Sequence, residues 1–206
     1  VPPFAPRQRL MSLQMLDPDT DHDDLRGGTP PWSLAIRNPP RAPVRQNFRC
    51  DVLVVGAGIT GALCAEHFAA RGHQTCIIDR QRPGRGSTTA STAMLLWEID
   101  QRLGDLADLY GFERASGIYR RSFEAAAGLT GLVQSRNLPC GLFPRPSVYL
   151  STPDVDARQL YAEQQIRRRA GLPGEFLDQK ILAEGFAIGR DAAIVSPGAA
   201  EADPVL

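Results

Sequence analysis

Hydrophobic and polar positions change their rhythm at Asp51. Before it, residues 1–48 place proline, arginine and aspartate in "VPPFAPR", "GGTPPW" and "RNPPRAP". These interrupt any two- or 3.6-residue period and predict an extended arm, with Trp32 and Leu34 available to pin it to a globular body. From Asp51 the run "DVLVV" predicts a strand, glycines follow, and a helical pattern runs from Ile59 to a stop at Gly72. "QTCIID" predicts a second strand ending at Asp79. A polar stretch of small residues, "RQRPGRGSTTAST", leads to "AMLLWEID". Helical spacing returns in "QRLGDLADLYG" and "ERASGIYRRSFEAAAGLTGLVQS", the latter with Ile118, Phe123, Ala126 and Leu129 near one face. After the break "NLPCGLFPRP", "SVYLS" suits a strand and Asp154 a helix start with its stop at Gly171. Residues 178–184 suit a short helix and "AAIVS" a last strand, and no internal repeat is visible. The order predicts an α/β protein.

Composition narrows the class. With 206 residues, 43% of them hydrophobic and 22% charged, the chain can bury one sizeable core or about one and a half small ones. Lys plus Arg and Asp plus Glu both number 23, so no basic excess exists to hold nucleic acid or an anionic membrane, and a small neutral or zwitterionic substrate is expected. The longest apolar stretch, Val52 to Ala65, contains three glycines and falls short of the roughly 20 residues that span a bilayer. Residues 1–15 lack the apolar run of a signal peptide, so a soluble, cytoplasmic protein is the expectation, starting at Val1 or Met11.

Cys50, Cys64, Cys76 and Cys140 form no CxxC pair and are expected as buried thiols. His22, His67 and His73 are scattered, and His67 is expected to face solvent. Asp17, Asp19, Asp21 and Asp23 alternate as in a calcium loop, but His22 stands where the turn glycine belongs and Gly28 where a bidentate glutamate belongs. No metal site is expected.

The candidate chemistry lies at Gly56, Gly58 and Gly61, a G-x-G-x-x-G placed between a strand and a helix, with the acid Asp79 eighteen residues beyond the last glycine. Gly56 permits the tight turn, Gly58 lets main chain approach a pyrophosphate, and Gly61 lets helix and strand lie close. The helix start presents N–H groups and a positive dipole end to phosphate. Asp79 suits an adenosine ribose and disfavours a 2′-phosphate, although Arg80 leaves an opening for one. A packing-only βαβ unit would leave that acid unexplained. Ser87, Thr88, Thr89, Ser91 and Thr92 then crowd six positions, either hugging a cofactor from its other side or capping a helix from a flexible loop. A nicotinamide dehydrogenase would instead continue to another helix and a third parallel strand.

"VVGAGITG" with "GSTTASTAMLLWEID", then "LFPRPSVYLST" and "IVSPGAAEADP", resembles the FAD-dependent oxidoreductases of the D-amino acid oxidase type, which include glycine and sarcosine oxidases; the likeness runs from Phe48 to Pro204. The resemblance implies a Rossmann-like FAD domain and a substrate domain on an antiparallel sheet. It implies hydride transfer to FAD from the carbon bearing an amine, with oxygen usually reoxidising the flavin to give imine and peroxide. Carried over, Gly56, Gly58, Ile59, Thr60 and Gly61 hold the pyrophosphate. Asp79, in place of the more usual glutamate, and Arg80 meet the adenosine side. Ser87, Thr88, Thr92, Ala93 and Met94 bracket the phosphates and the flavin end, Ala93 standing where many members have glycine. Arg145 and Tyr149 belong to the first substrate-domain strand as structural residues.

The expected division is an arm over 1–48, part of an FAD-binding domain over 49–139 and the start of a substrate domain over 140–206. The family pattern needs nearly twice this length. The chain is therefore expected to be the N-terminal portion of an oxidoreductase acting on a C–N bond of an amino acid or secondary amine, marginally folded alone. The alternative is a truncated, non-catalytic remnant or nucleotide-binding module, with an NAD enzyme as a third option. Catalytic residues, substrate identity, electron acceptor and oligomeric state are not legible.

Overall fold

The structure, a computed structural model, describes Trp32, residues 43–44 and residues 47–206. Leu34 and the aspartates from Asp17 to Asp23 lie outside the described residues. Strands β1 (Val52–Val55) and β2 (Thr75–Ile78) pair in parallel, Val52 opposite Thr75 through Val55 opposite Ile78. Helix α1 (Ile59–Ala69) joins them, and the chain turns out of it at Gly72, whose φ of +86° suits a residue without Cβ. Val54 faces α1, its Cγ1 3.4 Å from where a Cβ on Gly61 would sit. By strand alternation Leu53 and Val55 point the other way, and they are 49% and 77% exposed.

The second sheet is antiparallel and centred on β6 (Ala192–Glu201). Along one edge runs β4 (Phe143–Leu150); along the other lie β3 (Met94–Leu95), opposite Glu201 and Ala200, and β5 (Glu175–Asp178), opposite Val195 to Ala192. The β4 register shifts between Arg145, opposite Ala199, and Ser147, opposite Ser196, so Pro197 and Gly198 of β6 together face Pro146 and β6 carries one extra residue. Proline has no N–H for the ladder and Gly198 takes φ +91°, which together make a bulge. Both strands are longer than their apolar runs predicted. "AAIVS" stops at the bulge although β6 resumes beyond it, and β4 begins at Phe143 because Pro144 and Pro146 sit on a strand that is an edge among the described residues. The short β5 was not anticipated.

Four helices follow the first unit: α2 (Leu103–Tyr110), α3 (Phe112–Ser135), α4 (Ala157–Arg169) and α5 (Gln179–Phe186). The cap of α4 is Asp156, not Asp154. Asp156 Oδ1 accepts the Gln159 N–H at 2.8 Å while Gln159 Oε1 accepts the Asp156 N–H at 2.9 Å, a reciprocal capping box. Asp154 is displaced into a turn closed by backbone bonds between Thr152 and Val155. Asp178 caps α5 through the Ile181 N–H at 2.9 Å. No helix among the described residues is long and apolar enough to cross a membrane.

Trp97 organises the main core, with Leu103, Leu106, Ala115, Tyr119, Ala170 and Leu172 around it. Its ring meets Phe123 and Tyr119 edge-on, centroids 5.3 and 6.3 Å away, and its indole N–H donates to Pro197 O at 2.8 Å. A buried indole needs such a partner, and this one sits on the bulge of β6. The helical sheet cover is completed where Leu160 packs on Ala192 and Ile194. The face of α3 turned inward includes Ala115 and Tyr119 as well as the expected Phe123 and Ala126. The cysteine expectation holds for Cys140 only: α1 turns Cys64 outward, and Cys50 and Cys76 are half-buried because the two-stranded unit has one covered face.

Tyr119 links this core to solution pH. Its hydroxyl donates to Gln101 O at 2.6 Å, and burial raises its pKa above the ordinary value. The folded state therefore holds this proton more tightly than the unfolded chain. The stability it contributes is complete below pH ~10 and is lost as pH rises through the folded value. In an alkaline titration, one of the four tyrosines should ionise only as the chain unfolds, and Tyr119→Phe should remove that late step from the tyrosinate absorbance. Four tyrosinates appearing together, before unfolding, would contradict this.

Candidate functional site

The end of β1 is held in line by the Gly56 N–H donating to Ile78 O at 2.8 Å. Gly56 then adopts φ +112°, which L side chains rarely tolerate, and the chain turns back into α1. Gly58 is extended and provides no side-chain cap, so the helix starts with bare N–H groups on that side. A Cβ on Gly61 would lie 1.9 Å from Gly56 O and 3.0 Å from Gly56 C. No side chain fits there, and this contact sets how closely the helix approaches the turn.

Two other segments close on the turn. Asp79, at the end of β2, accepts the Ala57 N–H on Oδ2 at 2.6 Å and the Gln81 N–H on Oδ1 at 2.7 Å. Ala57 O accepts the Gly84 N–H at 3.0 Å, which folds the loop after β2 over the turn. From that loop the buried Thr88 brings its hydroxyl oxygen within 3.0 Å of the Ile59 N–H, which donates to it. A Cβ on Gly58 would stand 3.2 Å from the same oxygen. Thus a neutral hydroxyl occupies the positive end of α1, where the dipole and N–H groups favour an anionic oxygen. Thr89 donates to Gly86 O at 3.0 Å, and the Trp32 indole donates to Ser91 O at 3.0 Å. That last bond is the arm contact expected of Trp32.

Gly56, Gly58, Ile59, Gly61, Asp79 and Thr88 are therefore brought into one connected network. Thr60 lies exposed on the first turn of α1, and Arg80 and Ser87 are exposed on the loop. Thr92, Ala93 and Met94 lie at the loop's exit into β3, with Ala93 buried and Thr92 and Met94 exposed. Asp79 has a role that its sequence position did not announce, since it holds the turn through Ala57. Ala57, Gln81 and Gly84 were missed because they act through main chain alone. Arg145 pairs with Glu201 at 2.8 Å and stacks on Phe143 at 4.4 Å. The hydrogen bond from Arg145 holds the Glu201 carboxyl below the ordinary glutamate range.

Ala93 has φ +64°, the left-handed region, at the position where the resemblance expects glycine. That conformation costs an L-residue about 1–2 kcal/mol, against roughly 0.5–1 kcal/mol for glycine's extra unfolded freedom. Ala93→Gly should leave stability unchanged or raise it by up to about 1 kcal/mol, read from the urea midpoint. A clear fall would show that the methyl group's packing outweighs the backbone strain.

Residues 51–206 match the family model described as DAO, FAD dependent oxidoreductase. Glycine oxidase of Geobacillus kaustophilus is 24% identical over 133 residues, covering 63% of this chain and 32% of that protein. Its crystal structure aligns with a TM-score of 0.62 at 21% identity, over 77% of this chain and 42% of that one. The hydrogen cyanide synthase subunit HcnC of Pseudomonas aeruginosa is 30% identical over 98 residues, 47% of this chain and 23% of its own length. L-alpha-glycerophosphate oxidase from Mycoplasma pneumoniae, solved with FAD bound, aligns at a TM-score of 0.55 and 16% identity, over 76% of this chain and 40% of that one. The chain spans about a quarter to a third of these curated relatives and about two fifths of these solved chains. The parallel unit and the antiparallel sheet together have the fold of FAD oxidoreductases, and with the family model matching most of its length, this chain belongs to the DAO family of FAD-dependent oxidoreductases.

Proposed function

We propose that the turn from Gly56 to Gly61, with Asp79 and the loop carrying Thr88, holds the ADP half of FAD in an oxidoreductase acting on a C–N bond of an amino acid or secondary amine. The observation that carries this reading is the cradle: a helix start uncapped by its own N-cap residue, a turn that a Cβ at Gly61 would fill, and a carboxylate fixing that turn from the next strand. These residues fit the group. Gly56, Gly58, Ile59, Thr60 and Gly61 would hold the pyrophosphate on N–H groups. Asp79 would accept from the ribose and Arg80 would lie on the adenosine side. Ser87, Thr88, Thr92, Ala93 and Met94 would flank the phosphates and the flavin end. FAD, when bound, supplies acceptance of a hydride from the carbon bearing the amine nitrogen. The chain's own part is to bind and to orient: the clamped turn fixes where the phosphates sit, and the Thr88 hydroxyl is replaced or shared at the Ile59 N–H.

The substrate class rests on what relatives are named for, among them glycine oxidase and gamma-glutamylputrescine oxidoreductase. The division at residues 49–139 and 140–206 belongs to the same proposal, with β3 reaching from the first segment to pair with β6 of the second. One observation favours a remnant without turnover: the Ile59 N–H is already satisfied from within the chain.

Titrating the chain with FAD and following flavin fluorescence tests the cradle, with NAD as the competitor. Saturable quenching by FAD, unaffected by NAD, is expected. Gly58→Val should weaken FAD uptake at least about tenfold, because the added atoms compete with Thr88 and phosphate for one space. Gly58 has an ordinary φ of −81°, so this variant should keep its melting temperature to within a few degrees. Uptake unchanged in Gly58→Val would overturn the cradle. Anaerobic bleaching of the bound flavin by glycine, sarcosine or other amino acids separates the enzyme from the remnant.

A further inference from the structure

The loop after β2 crosses the start of α1 as a strap, residues 84–93, fixed at both ends. At one end the Gly84 N–H donates to Ala57 O at 3.0 Å, and at the other Ala93 O accepts the Ala202 N–H at 3.2 Å, where β3 begins its pairing with β6. Between these points the strap is held down at Thr88, whose Oγ1 accepts the Ile59 N–H, and at Ser91, whose O accepts the Trp32 indole N–H, both at 3.0 Å. Within the strap, Thr89 donates to Gly86 O through its hydroxyl and its N–H, at 3.0 and 3.2 Å, and the Ala93 N–H donates to Ser91 Oγ at 3.1 Å. These inner bonds travel with the strap. The contacts at Thr88 and Ser91 are single hydrogen bonds of modest net worth, which local opening can break without unfolding the chain.

Thr88 stands where the side chain of a helix N-cap would stand. Gly58 supplies none, and Thr88 Oγ1 lies 3.2 Å from the place of a Gly58 Cβ. Because Thr88 is buried, its hydroxyl shields the Ile59 N–H from solvent. That N–H has one proton, so the hydroxyl and a phosphate oxygen cannot both hold it at full strength. The other clamp on the turn is of a different kind: Asp79 Oδ2 accepts the Ala57 N–H at 2.6 Å as a charged acceptor. Charge-assisted hydrogen bonds are roughly twice as strong as neutral ones. An anionic oxygen therefore displaces Thr88 and leaves Asp79 in place.

We propose, resting on the reading that this turn takes the ADP half of FAD, that Thr88 is an internal competitor for the phosphate. The strap lifts at Thr88 before the pyrophosphate reaches the Ile59 N–H, and resettles around it afterwards. Apparent affinity is then lower than the bare turn would give, in proportion to the fraction of time the strap is raised. Trp32 rides on the same segment. Lifting breaks its bond to Ser91 O, so the indole reports the movement.

Titration of the full chain with ADP, which carries the two phosphates without a flavin to quench emission, is the test. The chain has two tryptophans, and Trp97 is fully buried, so a red shift of emission reports Trp32 leaving Ser91 O for water. ADP should bind the wild type with that red shift. Thr88→Ala, which removes the competing oxygen, should tighten ADP binding by about threefold to tenfold, the worth of one hydrogen bond. It should also bind without the red shift, since nothing on the strap then has to move. Thr88→Ser keeps the hydroxyl and should restore both the affinity and the shift. ADP binding that is unchanged or weaker in folded Thr88→Ala would overturn the competitor and leave the cradle standing. So would binding to the wild type with no change in Trp32 emission, and this measurement decides alone if Thr88→Ala does not fold. Binding to neither protein would overturn the cradle and the competitor together, whereas binding to Thr88→Ala alone would be the competitor in its strongest form.

Discussion

Gly61→Ala should destroy the β1–α1 turn. The added methyl carbon would sit 1.9 Å from the Gly56 carbonyl oxygen, main chain to main chain, with no flexible side chain able to move aside. Overpacking a well-packed site commonly costs about 1–3 kcal/mol, and a backbone collision of this depth belongs at or beyond the top of that range. The parallel pair stands on few supports, because Leu53 and Val55 are largely exposed and α1 is the cover on the other face. Relief should therefore come by local opening of β1, α1 and β2 rather than by unfolding of the antiparallel sheet. Amide exchange of Val52–Val55 and Thr75–Ile78 should accelerate at least about a hundredfold, while that of Ala192–Ser196 stays close to wild type. FAD uptake should vanish with the same substitution. Protected β1 amides in Gly61→Ala would mean that the turn can open without the strands.

Glu163→Gln carries the second large effect. Three donors converge on that carboxylate: the Leu103 and Gly104 amides at the start of α2 and the Arg167 Nε. It joins two helices and caps one of them, its negative charge set against the dipole of α2. A glutamine of the same shape must turn an NH2 group toward one of those donors and leaves Arg167 buried without its strongest counter-charge. Breaking one side of a buried pair costs about 3–5 kcal/mol, and that loss is expected in the free energy of urea unfolding. Adding Arg167→Met to Glu163→Gln should recover part of it, because the uncompensated cation is then gone. A double variant that loses the full sum of the single losses would show that Arg167 stabilises through its ring contacts, not through charge.

Legibility in the sequence followed the range of the interactions. The positions of Gly56, Gly58 and Gly61 between an apolar run and a helix announce a turn because its geometry depends on the absent Cβ atoms of a few neighbours. The same holds for Asp178 at the head of α5 and for the stops at Gly72 and Gly171, where local conformation is sufficient. Asp79 was legible as an acid at the right place, yet its bond to the Ala57 N–H needs β2 to lie in register beside β1. Trp97 read as one apolar residue in "AMLLWEID" and became the centre of the core because Pro197 O, a hundred residues away, accepts its N–H. No pattern in the sequence singled out Glu98, Glu163 or Arg167. Burial brought them together, and nothing in their spacing along the chain encodes it apart from the four-residue step between Glu163 and Arg167.

By itself, then, the chain's order of residues determined the βαβ unit, the glycine turn between its first strand and helix, the helix limits at Gly72, Gly171 and Asp178, and the likeness to FAD oxidoreductases. Those features depend on backbone freedom, periodicity and caps within about a turn or a strand. The tertiary structure alone decided which strands flank β6, why that strand continues past its proline, which face of α1 turns Cys64 outward, and where a buried carboxylate and guanidinium meet. Such outcomes are set by contacts between segments far apart in sequence, where packing and desolvation, not local preference, fix the lowest free energy.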